Sequence, residues 1–200
     1  PLLDRPLAYQ PRVPIDASGF SMILSAARPW DPAAMPAEVR KSWIDVGEKA
    51  AEEMAKAVEV GRIPMEVRVP HAVGRAAVLL AEGETPAAID VLKEARKLAE
   101  ENDALAAKFL PSLIYMQGVA SLRKGENDNC VMCRGDSSCI LPIAPTARHS
   151  DPEGSAGAIA YLTELLEKYP DDLDARWLLN LAHMTLGQYP DQVDPPFRLD

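Results

Sequence analysis

The sequence has few aromatic residues, few cysteines and histidines, and no excess of positive charge. Aromatic residues make up 6% of the 200 residues, and the chain has three cysteines and three histidines. Its formal net charge is −9 at pH 7. Because nucleic-acid binders need lysine and arginine to neutralise phosphates, this balance argues against a nucleic-acid partner. It argues equally against a polybasic module that binds a membrane surface.

Long apolar runs and catalytic motifs are also missing. The apolar stretches are much shorter than the roughly 20 residues that a membrane-spanning helix needs, so we expect no span in this chain. The sequence has no His-Glu-x-x-His motif, no glycine-rich phosphate loop and no Ser/His/Asp order in a motif context. Catalysis needs a convergent set of polar groups. We therefore expect a protein that is not an enzyme and carries no cofactor.

Proline is plentiful, and it is concentrated at the start of the chain. Seven of the 18 prolines fall within residues 1–36. Proline lacks a backbone donor and restricts the residue before it, so we expect residues 1–36 to form an extended arm. This arm docks either on the helices of its own chain or on a protein partner. Phe20 and Trp30 are the expected anchors of this arm on a protein partner, because large aromatic side chains dominate interface energetics.

From residue 37 onward, apolar residues recur at helical spacing. Residues 37–60 carry a stripe at steps of three and four, which predicts one amphipathic helix that ends at Gly61. Residues 71–103 divide at Gly83 into a pair of helices, and the pair has the length of a helical repeat, about 34 residues. Gly125 and Gly187 are expected to end two further helices. Trp177 is expected in the core.

The spacing of small residues resembles that of tetratricopeptide repeats. That family places small residues at fixed positions of a helix pair so that neighbouring pairs pack closely. The residues that match its positions are Gly83, Ala88, Gly118, Gly125, Ala158, Leu162, Pro170, Gly187 and Tyr189. The resemblance implies an all-α superhelix of about two and a half repeats over residues 37–195, with a loop inserted at 126–152. A generic helical bundle is the alternative.

The inserted loop holds all three cysteines and a histidine close behind them. Cys130, Cys133, Cys139 and His149 have the spacing C-x2-C-x5-C-x9-H. Two of the cysteines could pair as a disulfide in an oxidising compartment. All four residues could instead hold a zinc ion in a Cys3His site, or His149 could activate a cysteine as a nucleophile. The residues alone leave these alternatives open.

A second resemblance covers roughly residues 110–195. The segments that carry it are ENDNC at 126–130, SSCILPI at 137–143, HSDPEGS at 149–155 and DLDARWLLNLAHMTLGQYPD at 172–191. Together they resemble the tetratricopeptide segment of bacterial ASPIC/UnbV-type proteins, in which a helical repeat region precedes an FG-GAP β-propeller. This chain departs from that pattern at its C-terminus, where it stops after PPFRLD.

The second resemblance implies both a compartment and a cysteine pairing. Proteins of that type are usually exported, and the cysteines matching Cys130 and Cys139 recur in them. The resemblance therefore implies a Cys130–Cys139 disulfide and a periplasmic or extracellular location. The expected function is therefore that of a non-enzymatic scaffold or accessory subunit of an exported bacterial assembly, in which this chain binds protein partners within a larger complex. The alternative function is metal or redox chemistry at Cys130, Cys133, Cys139 and His149.

Non-reducing peptide mapping tests the disulfide. We expect one peptide pair linked through Cys130 and Cys139, with Cys133 outside that bond. Reduction should mainly loosen the loop, although loss of a disulfide costs about 2–5 kcal/mol in small secreted domains. Finding all three thiols free would contradict the pairing.

Overall fold

The computed structural model describes residues 16–27, 29, 31–130, 141 and 143–199, and within them the only regular structure is helical. The helices are α1 (Phe20–Ala26), α2 (Pro36–Lys41), α3 (Val46–Glu59), α4 (Met65–Ala81), α5 (Thr85–Glu100), α6 (Asp103–Cys130), α7 (Glu153–Lys168) and α8 (Leu173–Thr185). A short 3-10 turn lies at Pro145–Ala147. The all-helical class is therefore confirmed. The repeat superhelix remains a prediction.

The chain divides into two compact units. One comprises Ile15–Ala106, and the other includes the chain from Ala107 onward. In the first unit α4 packs against both α3 and α5. Small and β-branched side chains make α4 suitable for this central place, because they allow helix axes to approach closely. Its buried apolar residues are Val69, Val73, Ala76, Ala77, Val78, Leu79 and Leu80.

A short helix lies within the segment that was expected to be an extended arm. Residues 20–26 form α1, which packs on α3 and α4. Gly19 has a φ of 67°, and a Cβ there would lie 2.7 Å from the backbone of Ala77. On α1, Met22 packs over Gly74. The expectation of an extended chain is thus wrong for residues 20–26, because contacts with α4 stabilise a helix that the local proline content disfavours. Residues 1–15 lie outside the described part of the chain.

The carboxylate of Asp16 organises the start of α1. Its Oδ1 accepts hydrogen bonds from the Ser18 amide at 3.0 Å and hydroxyl at 2.5 Å. Its Oδ2 accepts from the Ser21 hydroxyl at 2.5 Å and amide at 3.3 Å. These bonds to the charged form lower the pKa of Asp16 to about 2.

Residues 37–60 form two helices rather than one. α2 ends at Lys41, and α3 begins at Val46 after Asp45 adopts a left-handed φ of 58°. The apolar stripe is therefore shared between two helices. A spacing of three and four residues cannot distinguish two consecutive helices from one continuous helix. Gly61, Gly83 and Gly187 follow helices with φ values of 71°, 87° and 68°, so these three predicted helix ends are confirmed.

Gly125 lies inside α6, so the prediction that it ends a helix is wrong. A Cβ on Gly154 of α7 would overlap the backbone of Gly125 and lie 2.7 Å from the Ser121 carbonyl oxygen. A Cβ on Gly118 would lie 2.8 Å from Leu162. These glycines serve the close packing of α6 on α7. The insertion accordingly begins after α6, not at residue 126.

The core of the second unit forms between α6, α7, α8 and the C-terminal tail. Its buried members are Ile114, Leu122, Ala158, Leu162, Leu165, Leu166, Ala175, Leu179, Ala182 and Phe197. Trp177 is 47% exposed, so its expected place in the core is wrong. The inward residues of α8 are Ala175, Leu179 and Ala182, and Trp177 falls between them on the opposite side of the helix.

Buried Asn180 holds the C-terminal tail against α8. Its Nδ2 donates to the carbonyl oxygens of Arg176 at 2.8 Å and Phe197 at 2.9 Å. Its Oδ1 accepts from the Leu199 amide at 3.2 Å. Since Asn180 is 0% exposed, these bonds satisfy a polar side chain that would otherwise be costly to bury.

The length and composition of α6 would allow it to cross a membrane. The stretch concerned is Asp103–Asn129, with 27 residues, and half of its most apolar window is buried. Its Gly118 packs on Leu162 of α7, as a core helix of a soluble protein does. The expectation that this chain contains no span therefore remains a prediction.

Two glycines of α7 offer a matched test of the helix packing. Gly154→Ala should lower the free energy of unfolding by about 1–3 kcal/mol, because its methyl group would overlap the rigid backbone of α6. Gly157→Ala should change it by less than about 1 kcal/mol and toward greater stability. Its Cβ would lie 3.3 Å from the Ser121 hydroxyl oxygen, a side-chain atom that a small rotation can move, and not from rigid backbone. Urea denaturation followed by circular dichroism measures both variants, and equal effects would contradict the packing.

Candidate functional site

An open cavity of the first unit lies along α3, α4 and α5. Its volume is about 460 Å³. Its apolar residues are Ala55, Val58, Ala72, Val91, Ala95 and Leu98. Since α4 packs against both of the other helices, these side chains line a groove rather than a closed core. We call this cavity with its lining the α3–α5 groove.

A row of basic groups lines the α4 side of the groove. Arg68, His71 and Arg75 are three and four residues apart, so they share one face of the helix. Arg68 Nε donates to the Ile63 carbonyl oxygen at 3.4 Å, and His71 Nε2 lies 2.9 Å from the Met54 carbonyl oxygen. His71 thus joins α4 to α3.

Arg75 differs from its two neighbours in the row. Its Nε is buried and has no hydrogen-bond partner in the described part of the chain. A buried donor without a partner costs free energy. The sequence analysis does not single out Arg75, although the three-and-four spacing of the basic residues on α4 is a signal for this row.

The carboxylates on the α5 side are already paired with lysines of the same helix. Asp90 lies 3.8 Å from Lys93, and Glu94 lies 2.6 Å from Lys97. These exposed pairs contribute little to stability, but they neutralise the α5 rim. The groove therefore combines an apolar floor with basic groups on one wall.

Of the two predicted partner anchors, the structure describes Phe20. Its side chain is 59% exposed on α1, and Leu24, one turn later, is 47% exposed. This is an accessible apolar pair, which an anchor requires. Trp30 lies outside the described residues. The role of both residues remains a prediction.

His149 lies in a hydrogen-bonded cluster rather than in an open site. Its Nδ1 is 2.9 Å from Ser155 Oγ, and Ser155 Oγ is 2.8 Å from Thr185 Oγ1. The His149 amide donates to the Thr185 carbonyl oxygen at 2.8 Å. A serine beside a histidine has the form of a nucleophile with its base, but Ser155 is 0% exposed and cannot meet a substrate. The cluster ties the inserted loop to α7 and α8.

Burial lowers the pKa of His149, while the nearby carboxylate of Glu126 opposes that shift. His149, Glu126 and Thr185 also line a cavity of about 190 Å³ beneath the loop. The walls of this cavity are otherwise largely apolar.

Asn129 brings the two ends of the insertion together. Its Nδ2 donates to the Gly125 and Asp151 carbonyl oxygens at 2.8 and 2.9 Å, and its Oδ1 accepts from the Asp151 amide at 2.8 Å. Lys124 of α6 also reaches Glu153 of α7 at 3.1 Å. The sequence analysis gives Asn129 no role, although it directly precedes Cys130 in the ENDNC segment.

The described residues do not test the cysteine predictions. Cys133, Cys139 and the side chain of Cys130 lie outside them, so the disulfide, the zinc site and the thiol nucleophile all remain open. Within the part of the chain that the structure describes, no group of three or more His, Cys, Asp or Glu side chains could hold a metal ion.

The lowered pKa of His149 predicts a pH dependence of stability. Above pH ~6.5 the imidazole is neutral in both folded and unfolded chains, and its contribution is fully present. As the pH falls, the unfolded chain takes up the proton first, so stability is lost. Burial lowers the pKa of His183 as well, so this histidine also makes the folded chain less stable as the pH falls.

We expect His149→Gln to reduce the loss of unfolding free energy between pH ~7 and ~5. The measurement is urea denaturation at several pH values, with His183→Gln as the comparison variant. Superimposable pH profiles for the native chain and His149→Gln would show that the histidine is not held neutral by the fold.

Comparisons of this chain with models of known protein families, with curated proteins and with solved structures found no match. The resemblance to tetratricopeptide repeats and to ASPIC/UnbV-type proteins therefore stays a prediction.

Proposed function

We propose that this protein is a non-enzymatic interaction scaffold that holds a segment of a partner protein in the α3–α5 groove. The observation that carries the proposal is the groove itself. It has a volume of about 460 Å³, and its apolar floor is formed by three packed helices. Helical arrays use extended surfaces of this kind to bind peptides and partner subunits.

The shape and the chemistry of the groove both support a peptide-like ligand. Ligand sites combine a mainly apolar lining with a few placed polar groups, and here those groups are Arg68, His71 and Arg75. The exposed Phe20 and Leu24 on α1 of the same unit give a second apolar surface for the same partner.

The proposal includes the setting that the family resemblance implies. The protein then acts as an accessory subunit of an exported bacterial assembly, in the periplasm or outside the cell. The Cys130–Cys139 disulfide belongs to that setting, since structural disulfides persist in oxidising compartments.

A groove variant tests the function directly. We expect the tagged chain, purified from its source cells, to retain a partner in fixed stoichiometry and to bind that purified partner again. Val91→Asp should weaken the binary affinity at least about tenfold, because it places a carboxylate on the apolar floor. Isothermal titration calorimetry measures the affinity.

Ala107→Asp, at an exposed position of α6, is the matched control, and it should bind as the native chain does. Circular dichroism must show that both variants are folded. If Val91→Asp and Ala107→Asp bind the partner equally well, the groove is not the binding site.

Elemental analysis and thiol counting separate this proposal from the metal or redox alternative. The scaffold predicts no stoichiometric metal and one free thiol in the native protein. Stoichiometric zinc, copper or iron held by the cysteine loop would instead support the alternative.

A further inference from the structure

The α3–α5 groove continues into a second cavity along α3 and α4. This cavity has a volume of about 380 Å³, and it shares Ala55, Glu59 and Arg75 with the first. Along α3 the lining runs from Glu48 in the second cavity to Glu59 at the junction. Eleven steps of helix rise give a length of about 16 Å. The two cavities thus form one channel with a common junction.

The end of the channel formed by the second cavity is acidic. Its carboxylates come from Glu48, Glu52, Glu82 and Glu84. Lys56 is a basic group on this part of the wall, besides Arg75 at the junction, and it lies 3.8 Å from Glu52 but 3.0 Å from Glu53, outside the cavity. In the described part of the chain, Glu48, Glu82 and Glu84 have no ion pair within 4.0 Å. Negative charge therefore dominates this end.

The position of Glu82 is built into the packing of α3 on α4. A Cβ at Gly47 would overlap the Glu82 carboxylate, so the glycine leaves room for that side chain over the start of α3. Glu82 is the C-cap of α4, and its carboxylate lies over the N-terminal turn of α3, where the helix dipole favours a negative charge. The fold therefore holds a carboxylate at this end of the channel.

The other end of the channel has the opposite character. Arg68 and His71 line it, and the facing Asp90 and Glu94 are paired with Lys93 and Lys97. Arg75 and Glu59 line both cavities, so they lie at the junction. An acidic side chain of a ligand would be attracted to the positive charges of Arg68 and Arg75.

We propose that the occupant of this channel is an amphipathic segment of a partner protein with its charges separated along its length. Its basic residues face Glu48, Glu82 and Glu84, its acidic residues face Arg68 and Arg75, and its apolar side chains contact the floor. This inference rests on the proposed function and adds to it the chemistry and the direction of the bound segment. Charge complementarity of this kind sets register and orientation more than raw affinity.

A pair of synthetic peptides tests the separation of charge. One fluorescein-labelled peptide of about 14 residues carries Leu and Ala at helical spacing, with glutamates in one half and lysines in the other. Its twin has the same composition and the same apolar positions, but glutamates and lysines alternate. We expect one-to-one binding of the first peptide to the full chain by fluorescence anisotropy, about tenfold tighter than binding of the twin.

Variants at each end of the channel locate the effect. Glu82→Gln with Glu84→Gln should weaken binding of the charge-separated peptide several-fold and reduce its salt dependence, and Arg75→Gln should weaken it independently. Glu101→Gln with Glu167→Gln removes two exposed carboxylates outside the channel and should leave the affinity unchanged. Circular dichroism checks that all variants are folded.

Equal affinity for the two peptides, absence of binding by both, or an equal loss in the control variant would overturn this inference. The Val91→Asp experiment with the natural partner decides the proposed function separately. A partner that binds the native chain but not Val91→Asp, together with equal peptide affinities, would retain the scaffold and reject the charge-separated segment.

Discussion

The close approach of helix backbones at small residues is the constraint on which the rest of the structure depends. In the second unit, Gly154 lies so near the backbone of Gly125 that there is no room for a side chain. In the first unit, Gly19 approaches the backbone of Ala77 in the same way. Close contact between helices maximises dispersion contacts in chains with few aromatic side chains, and a single added methyl group disturbs it.

This packing also explains why a groove can remain open beside α4. Small side chains on α4 pack closely against both α3 and α5. The three helices are therefore stable even though the surface groove along them is not filled by side chains. Longer side chains, such as Arg68 and Arg75, then form the wall. Because their charged ends face a channel, they are available for recognition, in contrast to the self-paired carboxylates Asp90 and Glu94.

Polar side chains determine where the irregular segments lie. Asn180 binds backbone groups of the C-terminal tail, Asn129 binds the backbone at both ends of the insertion, and Ser155 bonds the imidazole of His149. Each of these bonds replaces water that these groups would otherwise need, so the segment has one preferred position. The cysteine loop is therefore anchored at both ends by hydrogen bonds, whatever the state of its thiols.

The helical class and the helix ends at Gly61, Gly83 and Gly187 were predictable from local sequence, because a left-handed backbone conformation is a local property that glycine alone adopts freely. The role of Gly125 was not, since the need for a missing side chain there comes from packing against Gly154, 29 positions away. Only the tertiary structure decided that residues 20–26 are helical and that Trp177 is exposed. It also brought Glu82 and Glu48 into one channel with Arg75. These outcomes depend on contacts between distant elements, and periodicity along one segment carries no information about its neighbours in space.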